Sequence, residues 1–113
     1  MLLYNAAGTL GLAMRWNLHE LPWFTVWKNT AAVEDGYVTG LEPALNFPNF
    51  KTVERQRGRV RVLPPGGRWE ATWSIEIQDT AAGVSRTLAE IVAVQARVRP
   101  IVHRLPEGKF SGP

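Results

Sequence analysis

Between Thr9 and Asn17 the chain alternates. Leu10, Leu12, Met14 and Trp16 share one parity, and Gly11, Ala13 and Arg15 share the other. A period of two predicts a half-buried strand. Asn17-Leu18-His19-Glu20 reads as a loop closed by Pro22. Trp23-Phe24-Thr25-Val26-Trp27 is aromatic and β-branched, which favours a second strand. Thr30 to Gly36 is a polar turn signalled by Asp35-Gly36. A third strand is expected over Tyr37 to Leu41.

Glu42 follows that run and Pro43 follows Glu42. A residue before proline is pushed into extended geometry. Proline also brings no N–H to a ladder. The spacing therefore predicts that Glu42 ends its strand, at a junction where binding and catalytic groups often sit. A solvated strand-end glutamate with no special role is the plainer reading of the same residue.

Residues 43 to 57 carry loop signals at Asn46, Pro48 and Asn49, then a polar run with no clean period. Arg59-Val60-Arg61-Val62-Leu63 alternates again, and Pro64-Pro65-Gly66-Gly67 breaks the chain. Over Trp69 to Ile77 the alternation is clearest, with Trp69, Ala71, Trp73, Ile75 and Ile77 on one face. These two runs predict a hairpin with Val62 opposite Trp69 or Ala71. Arg59 and Arg61 would then lie among Glu70 and Glu76, each cross-strand pair contributing about 0.2–1 kcal/mol. Trp16, Trp69 and Trp73 are expected in the core. After Asp79 the period becomes helical: Val84, Leu88, Ile91 and Val92 form a stripe, and Thr87 with Glu90 suggests a capping box. A helix is expected at about 84–98, ended by Pro100. The tail is expected to be irregular, laid on the body or frayed. The fold class expected is mostly β: an antiparallel β-sandwich with one late helix.

With 113 residues, 45% hydrophobic and five Trp, the chain fits one domain, 1–113, able to build a core. Ten Arg and three Lys against ten acids leave a net charge of +3, compatible with solubility alone. The absence of Cys excludes disulfides and thiolate metal sites and fits a cytoplasmic protein. Residues 1–14 read as loop and strand, with neither the basic start of a signal peptide nor the length of a membrane span.

The basic run Arg55 to Arg61 could meet phosphates, but its strand-like alternation favours a solvated face. Pro65-Gly66-Gly67 is not a phosphate loop, since it lacks the lysine and hydroxyl ending. His19 and His103 lie far apart, so no metal site and no cofactor is expected. There is no serine or cysteine nucleophile motif. Trp23, Trp27 and Phe47 flank loops and either fill the core or supply a flat apolar wall for a ligand ring. Lys28, after Trp27, and Asn46 could bind ligand oxygens.

The residues Leu41-Glu42 and Phe47-Pro48-Asn49 resemble the C-terminal signature of the galactose mutarotase (aldose 1-epimerase) superfamily. There a strand ends in Leu-Glu before a loop with an aromatic-Pro-Asp/Asn triplet. The spacing from Glu42 to Pro48 is one residue longer than in the usual enzymes. Pro43 better suits an uncharacterised branch of the superfamily, whose members resemble this chain from Leu21-Pro22-Trp23 through Trp27-Lys28 to Leu63-Pro64-Pro65-Gly66. The resemblance implies a carbohydrate-binding protein in which Glu42 is the general base of anomer interconversion and Trp27, Lys28, Asn46 and Phe47 contact the sugar. It also implies that the chain is the last third of a longer sandwich, inactive by itself. The apolar face near Trp23 to Trp27 would then be covered by an upstream segment or by a homo-oligomer. The general acid would be a histidine whose position neither His19 nor His103 matches. The other readings are a non-catalytic carbohydrate-binding sandwich and a structural, partner-binding remnant. A sugar is the expected ligand, with no nucleic acid and no membrane.

Overall fold

A computed structural model of the chain describes residues 1–110. In chain order its elements are β1 (Leu2–Tyr4), β2 (Gly11–Trp16), β3 (Trp23–Lys28), a 3-10 turn (Val33–Asp35), β4 (Thr39–Ala44), α1 (Lys51–Gln56), β5 (Trp73–Gln78) and α2 (Ala81–Gln95). The class is the one expected: mostly β, with two antiparallel sheets and one long late helix. The chain divides into two compact units. One comprises Met1–Arg15 and Trp73–Arg104, the other Trp16–Thr72 and, of the described residues, 105–110.

In the first unit the sheet order is β1-β2-β5. Asn5 sets the first hairpin. Its Oδ1 accepts from the backbone N–H of Thr9 at 2.9 Å and of Leu10 at 3.2 Å. Gly8 takes the positive φ that the turn needs. That turn pairs Leu2 with Ala13, Leu3 with Leu12 and Tyr4 with Gly11. Helix α2 contacts β1 and β5. Ala13 and Met14 of β2 and Val84 of α2 are the buried apolar side chains of this unit.

The helix starts earlier than its apolar stripe suggests. Thr80 is the N-cap, its Oγ1 accepting from Gly83 N–H at 3.1 Å, so Thr87 is no cap and is buried mid-helix. Glu90 instead accepts from Arg15 Nη2 at 2.7 Å, and Glu76 lies 3.9 Å from the same arginine. The helix stops at Gln95, before Pro100 can act. Its buried line runs through Gly83, Val84 and Thr87, while Leu88 and Val92 are exposed.

The expected hairpin of 59–63 with 69–77 does not form. Residues 60–72 make no strand, and β5 begins only at Trp73, beside β2. Val62 is 84% exposed, and Trp73, expected in the core, is 54% exposed. The turn itself closes, with Gly67 N–H bonding the Pro64 carbonyl at 2.8 Å and Gly66 at positive φ, but no ladder follows it. Without a neighbouring strand, Arg59 to Leu63 has nothing to complete its ladder. Ile75 and Ile77 are also exposed, so β5 presents an open apolar row.

In the second unit β3 pairs antiparallel with β4, from Trp23 opposite Ala44 to Lys28 opposite Thr39. The strand expected to end at Glu42 runs two residues further, and Pro43 sits inside it opposite Phe24. Both strands of a two-stranded sheet have an open edge, where a missing N–H is tolerated. Trp16 packs here rather than in a deep core. Its ring stacks on Phe24 at 4.7 Å and its Nε1–H donates to the Leu21 carbonyl at 3.1 Å. Leu21 is the buried apolar residue of this unit. The expected loop over 43–57 contains α1.

Candidate functional site

Opposed residues share a face of a sheet, and alternate residues return to it. The observed register therefore places Trp23, Thr25 and Trp27 of β3 on one face with Ala44, Glu42 and Gly40 of β4. Phe24, Val26 and Lys28 lie on the other face with Pro43, Leu41 and Thr39. Glu42 thus stands opposite Thr25, diagonally between two tryptophans. Its carboxylate folds back over Gly40: a Cβ on Gly40 would lie 2.5 Å from Glu42 Oε1 and 3.3 Å from the Trp27 Cβ. Glycine opposite Trp27 leaves the room the carboxylate occupies. Glu42 is exposed, and Trp27 and Val26 are about half exposed.

The sequence candidates are not all together. Trp27 shares the face of Glu42. Lys28 is on the opposite face. Phe47 joins the Trp23 end, its ring 4.7 Å from that of Trp23. Asn46, half-buried, lies in the loop between β4 and Phe47.

A second carboxylate, missed in the sequence, is far more deeply set. Glu54 in α1 is completely buried. It accepts from Arg59 Nε at 2.7 Å and Nη2 at 2.6 Å, from Asn49 Nδ2 at 2.7 Å and from Phe47 N–H at 3.3 Å. The end of α1 arranges this. Gly58 adopts a left-handed φ of 68°, its N–H bonds the Arg55 carbonyl, and Arg59 N–H bonds the Glu54 carbonyl at 2.9 Å. This helix-ending motif returns the residue after the glycine to the turn it has just left. Arg59 is thereby set beside Glu54. The Arg59 hydrogen bonds, reinforced by those from Asn49 and Phe47, hold the Glu54 carboxyl down at about 2, although burial opposes this. Glu54 in turn raises the Arg59 guanidinium further above its ordinary range. The sequence signal was Gly58 closing a short run with Glu54 at its centre. It was masked by the arginine alternation that followed. The partner of Arg59 is therefore Glu54, not Glu70 or Glu76; Glu70 pairs with Arg68.

The same network ties down the tail. Arg57 and Arg59 donate to the carbonyls of Gly108 and Lys109, and Asn49 to that of Phe110 at 3.1 Å. The Phe110 ring meets Trp23 at 5.9 Å and Phe47 at 5.1 Å, and Arg59 lies over Phe47 at 5.0 Å. Of the two fates expected for the tail, residues 105–110 are laid on the body.

Beside this cluster is an open cleft of about 310 Å³. His19, Trp23, Leu45, Arg59, Val60 and Arg61 contribute to its wall, and no carboxylate does. Arg61 lies over the Trp69 ring at 5.4 Å. His103 is in the first unit, after α2. Among the described residues no group of three or more His, Cys, Asp or Glu is placed to hold a metal ion, and no helix is long and apolar enough to cross a membrane.

Comparison with curated proteins gives no match, and neither does comparison with solved structures. Residues 1–77 match one family, which takes in β1 to β4, Glu42, the Glu54–Arg59 pair and most of β5. By that match, the chain belongs to the family described as Domain of unknown function (DUF4432).

Proposed function

We propose that this chain is a carbohydrate-binding, aldose 1-epimerase-like protein whose ligand face is that of Trp23, Trp27 and Glu42. The observation that supports this reading most is the β3–β4 register, which sets one carboxylate diagonally between two indoles. Sugar sites combine flat apolar surface for the C–H faces of a ring with a few placed polar groups for its hydroxyls. Trp27 offers the surface and Glu42 the acceptor. The resemblance of Leu41-Glu42 and Phe47-Pro48-Asn49 to the galactose mutarotase signature supports the same residue as the base.

In anomer interconversion a base takes the proton of the anomeric hydroxyl while an acid protonates the ring oxygen. The C–O bond to the ring opens, the free aldehyde turns, and the ring recloses with the protons returned. Glu42 fills the first role. The β3–β4 face holds Trp23, Thr25, Trp27, Gly40, Glu42 and Ala44, so it carries a base and no histidine acid. That observation favours a second reading, a module that binds sugar without turnover.

Exchange NMR of the glucose and galactose anomers separates the two. Faster exchange with the wild type than with Glu42→Gln supports the epimerase-like reading. Shifts of the Trp27 indole N–H on adding sugar, without faster exchange, support the binding module. Absence of both responses contradicts both readings.

A further inference from the structure

We infer that the cleft between His19, Trp23 and Arg61 is a binding site for a small oxyanion, a phosphate monoester or a carboxylate, carried on an apolar group. This lies beyond the sugar reading of the Glu42 face and does not depend on it. Arg59, Arg61 and His19 line the cleft, and among the described residues no carboxylate does. Arg59 is compensated, since its Nε–Nη2 edge is bonded to the Glu54 carboxylate and Nη1 donates to the Lys109 carbonyl at 3.0 Å. Arg61 is different: among the described residues it forms no ion pair, and its guanidinium lies over the Trp69 ring at 5.4 Å. A guanidinium kept in place by an aromatic face, with its N–H groups unspent, is suited to forked binding of an oxyanion.

The nearest acid to His19 in sequence, Glu20, is turned away. It accepts from Thr72 N–H at 2.8 Å and from Asn17 Nδ2 at 3.3 Å. The His19 side chain also borders the cleft. Trp23, Leu45 and Val60 give the remaining wall an apolar character, which selects an anion with a hydrocarbon or ring body over a bare ion. At about 310 Å³ the cleft suits a ligand of small-molecule size.

The probes are phenyl phosphate and benzoate, titrated into the full chain and followed by the NMR shifts of the Trp23 indole, the His19 ring and the Arg61 Nε–H. Saturable shifts confined to those groups are expected for at least one probe, and its preference over the other assigns phosphate or carboxylate. Arg61→Ala should weaken binding about tenfold, as for loss of one charge-assisted hydrogen bond. His19→Ala should weaken it less, and Arg86→Ala on α2 should not change it. Among the described residues Arg61 makes no ion pair, so its removal should leave the dispersion of the spectrum intact. Shifts spread evenly over the surface arginines, no saturation with either probe, or equal affinity in Arg61→Ala would each overturn the assignment.

Discussion

Arg59 holds Glu54 in a two-pronged grip, Nε to Oε2 at 2.7 Å and Nη2 to Oε1 at 2.6 Å, around a carboxylate fully removed from water. The pair fixes α1, the loop at Phe47 and Asn49, and the tail at Lys109 and Phe110 into one cluster.

That grip makes stability depend on acid. Glu54 titrates at about 2 in the folded chain, down from an ordinary value of 4.5. A depressed folded value means the contribution is complete above 4.5 and is lost as pH falls towards 2. Urea midpoints should therefore fall for the wild type across that window. Glu54→Gln should be less stable than wild type at pH 7 and should lose less over the same acid range. Parallel acid profiles for the two proteins would show that Glu54 is not held as its ionised form.

The ring cluster should respond to Phe110. The residue is partly buried against Trp23 and Phe47. Phe110→Ala is expected to cost about 1–2 kcal/mol, below the roughly 3–5 of a fully buried Phe. It should also red-shift tryptophan emission as Trp23 gains water. An unchanged denaturation midpoint together with unchanged emission would mean that residues 105–110 do not pack on Trp23 in solution.

Trp73 provides the contrast. With its side chain half open, Trp73→Ala should cost about 1 kcal/mol or less rather than the ~3–5 of a core aromatic. A loss in the larger range, measured by urea denaturation, would show that β5 is covered in solution.

Much of the architecture could be read along the chain, and the failures share a cause. The alternation at Leu10 to Trp16 and the β-branched and aromatic run at Trp23 to Trp27 marked β2 and β3, because local pattern and pairing agree there. Trp69 to Ile77 alternated best of all, yet only its second half became a strand. Alternation states which face could be buried but not what arrives to bury it. The partner of β5 is β2, about sixty residues earlier, not the arginine run just before it. Pro43 was read as a stop, which holds for a central strand and fails at an open edge. The burial of Glu54 is hard to read because its one local signal, Gly58, is overshadowed by the arginine alternation that follows it. Glu42 was legible as a strand residue, while its place between Trp23 and Trp27 came only with the register.

Gly40 tests that place without touching the carboxylate. A Cβ there would meet Glu42 Oε1 at 2.5 Å, and the far end of a glutamate can move aside. Gly40→Ala should therefore shift stability by less than about 1 kcal/mol, since Gly-to-Ala changes at compatible backbone positions are small. It should nevertheless impair sugar binding as much as loss of Glu42 does. Full sugar response in Gly40→Ala would show that the position of Glu42 over Gly40 is irrelevant to ligand binding.

Sugar binding at the Trp23–Trp27–Glu42 face is read out by mapping amide and indole shifts during titration of the wild type and Glu42→Ala with galactose or glucose. Saturable shifts centred on Trp27, Gly40 and Glu42 are expected in the wild type. Binding about tenfold weaker is expected in Glu42→Ala, as for a lost charge-assisted hydrogen bond, with the folded spectrum retained. Shifts absent from this face, or the same affinity without the carboxylate, would contradict it.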